Sequence, residues 1–172
     1  GNDWLPDGAP GNCTTLERSF LLPADRNRLD QLQTDCLGID GDLTIQGDIS
    51  SLSGLQSFSH LYVTGDVRVA DTRGLTDLQG LDGLRAVGGM LDIKANADLR
   101  SAYCLPHLVQ VVGDVRITNH PNLTSLRGFG WLKHIGGDLR IESNRALTKL
   151  DGFPALTYIA DYASPAARPE PA

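Results

Sequence analysis

No apolar run in this chain approaches the roughly 18–20 residues of a helical membrane span, so none is expected in its 172 residues. Positive charge is also short: 15 Lys and Arg stand against 21 Asp and Glu, a net charge of −6. That balance argues against a nucleic-acid partner, because binding phosphates needs a concentrated positive field. There is no His-Glu-x-x-His, no paired Cys-x-x-Cys and no Gly-rich phosphate loop, the patterns that would bring metal or nucleotide chemistry. The histidines, His60, His107, His120 and His134, show no metal-ligand spacing. No cofactor and no metal site are expected. No signal peptide is visible ahead of Gly1-Asn2-Asp3; the chain reads as a mature or trimmed form whose targeting segment has been removed. Such a start would suit a lipid anchor carried by a residue outside this chain.

Cysteine is scarce, with three in all. Cys13 and Cys36 flank the segment ahead of the repeating pattern, and a disulfide between them is the favoured reading; it implies an oxidising compartment. Three buried, reduced thiols are the alternative. Cys104 stands where sister segments carry Gly80, Gly128 and Gly152, so it reads as a packed small residue rather than a reactive one.

What is abundant is glycine, 19 residues, and its placement is periodic. The motif Gly-Asp-(Leu/Val)-x-(Ile/Val) is anchored at Gly41, Gly65, Gly89, Gly113 and Gly137, each 24 residues after the last, with Met90 in place of Asp in the third copy. A period of this size with one strand-like segment per copy is the signature of a solenoid, whose turns bury their apolar side only by stacking on one another. After each anchor come Leu43/Ile45, Val67/Val69, Leu91/Ile93, Val115/Ile117 and Leu139/Ile141, with polar residues between them in most copies. That alternation is a half-buried strand. A second run is spaced by three: Leu75-Leu78-Leu81-Leu84-Val87, Leu123-Leu126-Phe129-Leu132-Ile135 and Leu147-Leu150-Phe153-Leu156-Ile159. The glycines and Pro154 within it break a helix, so the run reads as tightly turned backbone. Asn96 and Asn144 follow the strand at the corner, where an Asn can bond backbone groups left open by the bend. In the first turn Ile49, Leu52, Leu55, Phe58 and Leu61 sit one place off, a slip absorbed before Val63.

The expected fold is mainly β, a right-handed parallel β-solenoid of five 24-residue turns. Residues 1–36 form an N-terminal segment and cap, with one or two helical turns after Pro23; residues 37–161 form the solenoid; residues 162–172 are a Pro/Ala-rich tail. No C-terminal cap is evident, so the last turn leaves an edge open to a loop, to Asp161-Tyr162 or to another molecule, including a second copy.

The pattern Gly-Asp-Leu-x-Ile-x-x-Asn-x-x-Leu-x-x-Leu-x-Gly-(Leu/Phe)-x-x-Leu-x-x-Ile-Gly runs nearly whole from Gly137 to Ile159 and from Gly113 to Gly136. It resembles the receptor L domain, the leucine-rich-repeat-like β-solenoid of growth-factor-receptor ectodomains and of microbial cell-surface proteins. An N-terminal cysteine pair is also a habit of that family. The resemblance implies a non-catalytic recognition or adhesion module, extracellular or at the cell surface, that binds a protein or glycan; ligand choice does not carry over with a fold.

Two surfaces are candidates for that binding. Outward positions on the second strand side gather His107, Trp131, Lys133, His134 and Tyr158, with Tyr62 and Gln110 in the same columns, and exposed aromatics beside polar groups suit a protein or sugar. The alternative for Trp131 is packing over the Gly128/Gly130 corner. The first-strand face carries Thr44, Arg68, Asp92, Arg116 and Arg140, and Arg116 and Arg140 are its candidate contacts. Beside them runs Asp42, Asp66, Met90, Asp114, Asp138. Acids so placed serve catalysis or calcium in β-helix polysaccharide enzymes, but Asp here belongs to the repeat unit itself, which favours corner hydrogen bonding over an Asp114/Asp138 active site. A structural spacer of the cell envelope is the other alternative. Asn12-Cys13-Thr14 and Asn122-Leu123-Thr124 match the N-glycosylation acceptor pattern.

Overall fold

A computed structural model of the protein describes residue 10 and residues 13–103 and 105–159. The chain winds into a parallel β-solenoid of about six turns, each contributing one strand to each of two sheets. The seven-stranded sheet stacks β1 (Thr14–Leu16), β3 (Cys36–Ile39), β5 (His60–Val63), β7 (Leu84–Val87), β9 (Gln110–Val111), β11 (His134–Ile135) and β13 (Tyr158–Ile159). The six-stranded sheet stacks β2 (Phe20–Leu22), β4 (Leu43–Asp48), β6 (Val67–Arg73), β8 (Leu91–Lys94), β10 (Val115–Thr118) and β12 (Leu139–Glu142). Strand neighbours are one turn apart, as in Val67↔Leu91 and Val115↔Leu139.

The period-two residues Leu43, Ile45, Val67, Val69, Leu91, Val115 and Ile117 face inward and are fully buried. The run spaced by three forms the third side and then enters the seven-stranded sheet at β7 and β11; its apolar members are buried from Leu75 to Val87 and from Leu123 to Ile135. It includes 3₁₀ turns at Ser53–Leu55 and Arg127–Phe129, whose three residues per turn match that spacing. Burying each such Leu or Ile stabilises by roughly 1.5–3 kcal/mol.

The anchoring glycines stack directly on one another. Gly65 N–H donates to the Gly41 carbonyl at 2.9 Å, Gly89 to Gly65 at 2.9 Å and Gly113 to Gly89 at 2.8 Å. An Asp follows each anchor except Gly89, where Met90 stands, and it fills the remaining space: Asp42 Oδ1 accepts from Asp66 N–H at 2.8 Å and Asp66 Oδ1 from Met90 N–H at 2.8 Å. A Cβ on Gly65 or Gly89 would collide with those carboxylates. The Gly-Asp pair is therefore one structural unit that recurs because every turn rests on the last.

A second ladder lies inside the corner. Residues Gly47, Asp71, Ala95, Asn119 and Ser143, at the same interval, all have left-handed backbone, with φ from 52° to 81°. Each non-glycine member of this column precedes a member of an inward polar column: Thr72, Asn96, His120 and Asn144. Asn96 Oδ1 accepts from Thr72 N–H (3.1 Å) and Thr72 Oγ1 (2.8 Å), and its Nδ2 donates to the Val69 carbonyl (2.9 Å). Asn144 acts likewise two turns on, accepting from His120 N–H (3.0 Å) and donating to the Ile117 carbonyl (2.8 Å). The corner role expected of both asparagines is thus met, and His120 occupies the place between them.

The slip in the first turn is bracketed by two shifts of register. Asp71 is the extra residue between β4 and β6, and Arg85 is the extra one between β5 and β7.

The solenoid begins earlier than the boundary at residue 37 drawn from the glycine anchors. β1 and β2 pair in parallel with β3 and β4, so Thr14–Leu22 is already a turn. Here Arg18-Ser19 stands in for Gly-Asp, and Ser19 Oγ accepts from Asp42 N–H at 2.9 Å, as an Asp does elsewhere. The cap is a single helical turn, α1 (Arg26–Leu29). Its Leu29 is buried beside Leu22 and Leu52, and Arg26 bonds Ser53. Cys13 and Cys36 form a disulfide, Cα–Cα 4.7 Å. At the far end Leu139, Ile141, Leu147, Phe153 and Leu156 are only partly buried, and Leu150 is 70% exposed. The tail 162–172, Asp161-Tyr162, Cys104 and the Asn12 acceptor lie outside the described residues.

Candidate functional site

Among the described residues the two most exposed aromatics stand on the third side of the solenoid. Trp131 is 61% exposed and Tyr103 is 68% exposed, and both line one half-open groove of about 630 Å³. Stacked turns build it. Gln79, Tyr103 and Arg127 form one outward column, Asp82, Pro106 and Gly130 a second, and Asp77 and Ser101 border it. Trp131 therefore does not fold away over the Gly128/Gly130 corner; Gly130 is left as groove wall beside it.

The polar groups of the groove are held by short local bonds. Asp77 Oδ1 accepts from Gln79 N–H and Asp82 Oδ2 from Gly80 N–H, both at 2.8 Å. The second oxygen of each carboxylate has no partner among the described residues. Arg127 pairs along its own column with Asp151, Nε to Oδ2 3.2 Å. The His107 ring reaches the edge of this region, its Nδ1 2.9 Å from the Asp82 carbonyl.

His134 and Tyr158 lie on the neighbouring sheet face. They are register partners across β11 and β13, with ring centroids 6.4 Å apart, and Lys133 is exposed beside them. The expected gathering of His107, Trp131, His134 and Tyr158 thus resolves into an aromatic groove holding Trp131 and an adjoining His134–Tyr158 pair. Tyr62, read as part of the outward column, is buried instead. It packs with Cys36, Ala86 and Cys13, so the disulfide covers that end of the sheet, and burial pushes its phenol above the usual range against the pull of Arg85. Tyr103 was missed. The signal for it was an aromatic in a column otherwise made of Gln79, Arg127 and Asp151.

On the opposite sheet Arg116 and Arg140 are direct register partners. Their charges are largely answered: Arg116 Nη2 lies 2.7 Å from Asp114 Oδ2, and Arg140 Nε 3.4 Å from Glu142. Arg68 reaches Asp92 at 3.5 Å. Asp114 Oδ1 accepts from Asp138 N–H at 3.0 Å. That backbone bond, aided by Arg116, holds the Asp114 carboxyl below the usual range although burial opposes it.

The chain matches no family model, no curated protein and no solved structure.

Among the described residues no helix is long and apolar enough to cross a membrane, and no group of three His, Cys, Asp or Glu is placed to hold a metal ion. Asn122 is exposed, its amide donating to the Ala97 carbonyl at 2.8 Å.

Proposed function

We propose that this protein is a non-catalytic recognition module of the receptor L type that works outside the cytoplasm and binds a protein or glycan partner. The observation that carries the reading is the pair Trp131 and Tyr103, both well over half exposed in one groove. Large aromatic faces cost free energy to leave in water, and a folded chain that sets two of them in a concave, polar-edged surface has a site suited to a ligand. His107, Lys133, His134 and Tyr158 extend the surface along the adjoining sheet. The disulfide is compatible with an oxidising, extracytoplasmic setting.

The Asp114/Asp138 pair supports structure over catalysis. A carboxyl held ionised by a backbone N–H and a guanidinium is poorly suited to deliver a proton. The Arg116/Arg140 face remains the second candidate surface, weakened by its own carboxylates. The partly buried last turn, with Ile159 42% exposed, also favours self-association at that edge; a monomer at every concentration in light scattering would exclude it.

The test is a pull-down from a surface extract of the source organism with the native chain beside a Trp131→Ala/Tyr158→Ala variant. A partner retained by the first and lost by the second supports the reading. Equal retention moves the site to the arginine face. No partner for either favours a structural spacer.

A further inference from the structure

The groove carries a more specific assignment, which rests on the recognition reading above. We infer that it binds an uncharged oligosaccharide, with pyranose rings stacked on Trp131 and Tyr103 and their hydroxyls bonded to Asp77, Asp82 and Gln79. A pyranose presents apolar C–H faces and a polar equatorial rim, so it needs both kinds of surface in one groove. The groove supplies that combination, and a protein anchor would not need it. Protein hot spots are desolvated apolar pockets ringed by contacts that exclude water. Here the two aromatics are flanked by carboxylates, an amide and the Ser101 hydroxyl, in a groove open to solvent.

The hydrogen-bonding groups are also preorganised. Asp77 and Asp82 each spend one oxygen on a backbone N–H two residues away, at 2.8 Å, which orients the carboxylate and leaves the other oxygen to accept from a hydroxyl. Acceptors already fixed before binding lose little entropy when a ligand arrives. The same carboxylates select against negative charge. Within the groove Asp77 and Asp82 outnumber Arg127, whose guanidinium is already paired with Asp151. A uronate, sialylated or sulfated chain would meet like charge, in keeping with a whole-chain net charge of −6. The turns repeat at the strand spacing, roughly 4.8 Å, so the groove runs across the stack and suits a linear oligomer lying over several turns.

The experiment uses the full chain carrying Trp4→Phe, which leaves Trp131 as the one remaining tryptophan of two. Its emission is titrated with four neutral hexasaccharides (β-1,3-linked and β-1,4-linked glucose, α-1,4-linked glucose and β-1,4-linked N-acetylglucosamine) and with hexagalacturonate as the acidic comparator. The expected result is a saturable blue shift with at least one neutral oligomer, at least tenfold weaker binding in Tyr103→Ala with unchanged circular dichroism, and no shift with hexagalacturonate. A shift that persists unchanged in Tyr103→Ala, or one given by the acidic oligomer, overturns the assignment. No shift with any oligomer, in a protein whose pull-down partner is still lost with Trp131→Ala, overturns the glycan and leaves recognition standing. No shift and no partner overturn both.

Discussion

Replacing Asn96 by Ala removes the central rung of the inner polar ladder. Asn96 is fully buried, and three backbone or side-chain groups depend on it: Thr72 N–H, the Thr72 hydroxyl and the Val69 carbonyl. Leaving a buried polar group unpaired costs about 1–3 kcal/mol. The hydroxyl can turn to another acceptor and so loses least, which puts the total at about 4 kcal/mol. That is a large share of the 5–15 kcal/mol typical of a folded domain. Asn144 makes the equivalent bonds to His120 and Ile117 but is only half buried, at the open end of the solenoid. Water can replace it there, so Asn144→Ala should cost about 1–2 kcal/mol. Thr72→Val, which keeps the Thr72 N–H bond and deletes only the hydroxyl, should cost about 1 kcal/mol. Urea unfolding followed by far-UV circular dichroism separates the three. With a slope of about 2 kcal/mol per molar, Asn96→Ala should lower the midpoint by about 2 M and Asn144→Ala by about 0.5–1 M. The ladder account fails if the two asparagine variants lose the same amount, or if Asn96→Ala costs under about 1 kcal/mol.

Three further perturbations probe the same architecture. His120 is fully buried, accepting from Asn96 N–H at Nδ1 (3.3 Å) and donating from Nε2 to the Ile93 carbonyl (2.9 Å); burial holds its pKa below the ordinary 6.5. The unfolded chain thus takes up this proton first, so stability should be full above pH 6.5 and fall as the pH drops below it; His120→Asn should flatten that fall between pH 7 and 5, and an unchanged slope would refute the role. Gly89→Ala forces a Cβ onto Asp66 and the Gly65 backbone and should cost about 3 kcal/mol, whereas Gly130→Ala, with open space around it and ordinary backbone, should cost under about 0.5 kcal/mol in the same urea assay. Ala95 holds a left-handed conformation, φ 52°, that its neighbour in the column fills with Asn119, so Ala95→Asn should stabilise by about 0.5 kcal/mol and raise the melting temperature by about 1–2 °C; a lower melting temperature would contradict the strain argument.

The period, the two apolar faces and the glycine anchors were legible because each turn must satisfy the same contacts with the turn before it. Gly65 and Asp66 recur for one shared reason, and the reason is visible in their spacing. What escaped notice is where another residue does the same job. Ser19 caps Asp42 N–H without any Gly-Asp signature, so by sequence the N-terminal turn reads as a cap. His120 fills an asparagine's place by presenting an acceptor and a donor from one ring, which no search for Asn columns would find. Tyr62 looked exposed because alternation alone cannot reveal that a disulfide lies over it. Trp131 was legible as a surface aromatic, but its companion was not: the groove depends on Tyr103 in the turn below, and pairing across turns at unequal positions leaves no periodic trace.

The most direct test of recognition through this groove is binding of the fluorescently labelled chain to intact cells of the source organism, measured against a Tyr103→Ala/Trp131→Ala variant with the same circular dichroism. Saturable binding by the native chain and at least a tenfold loss in the variant are expected. Equal binding by both, or none by either, would contradict recognition through the groove.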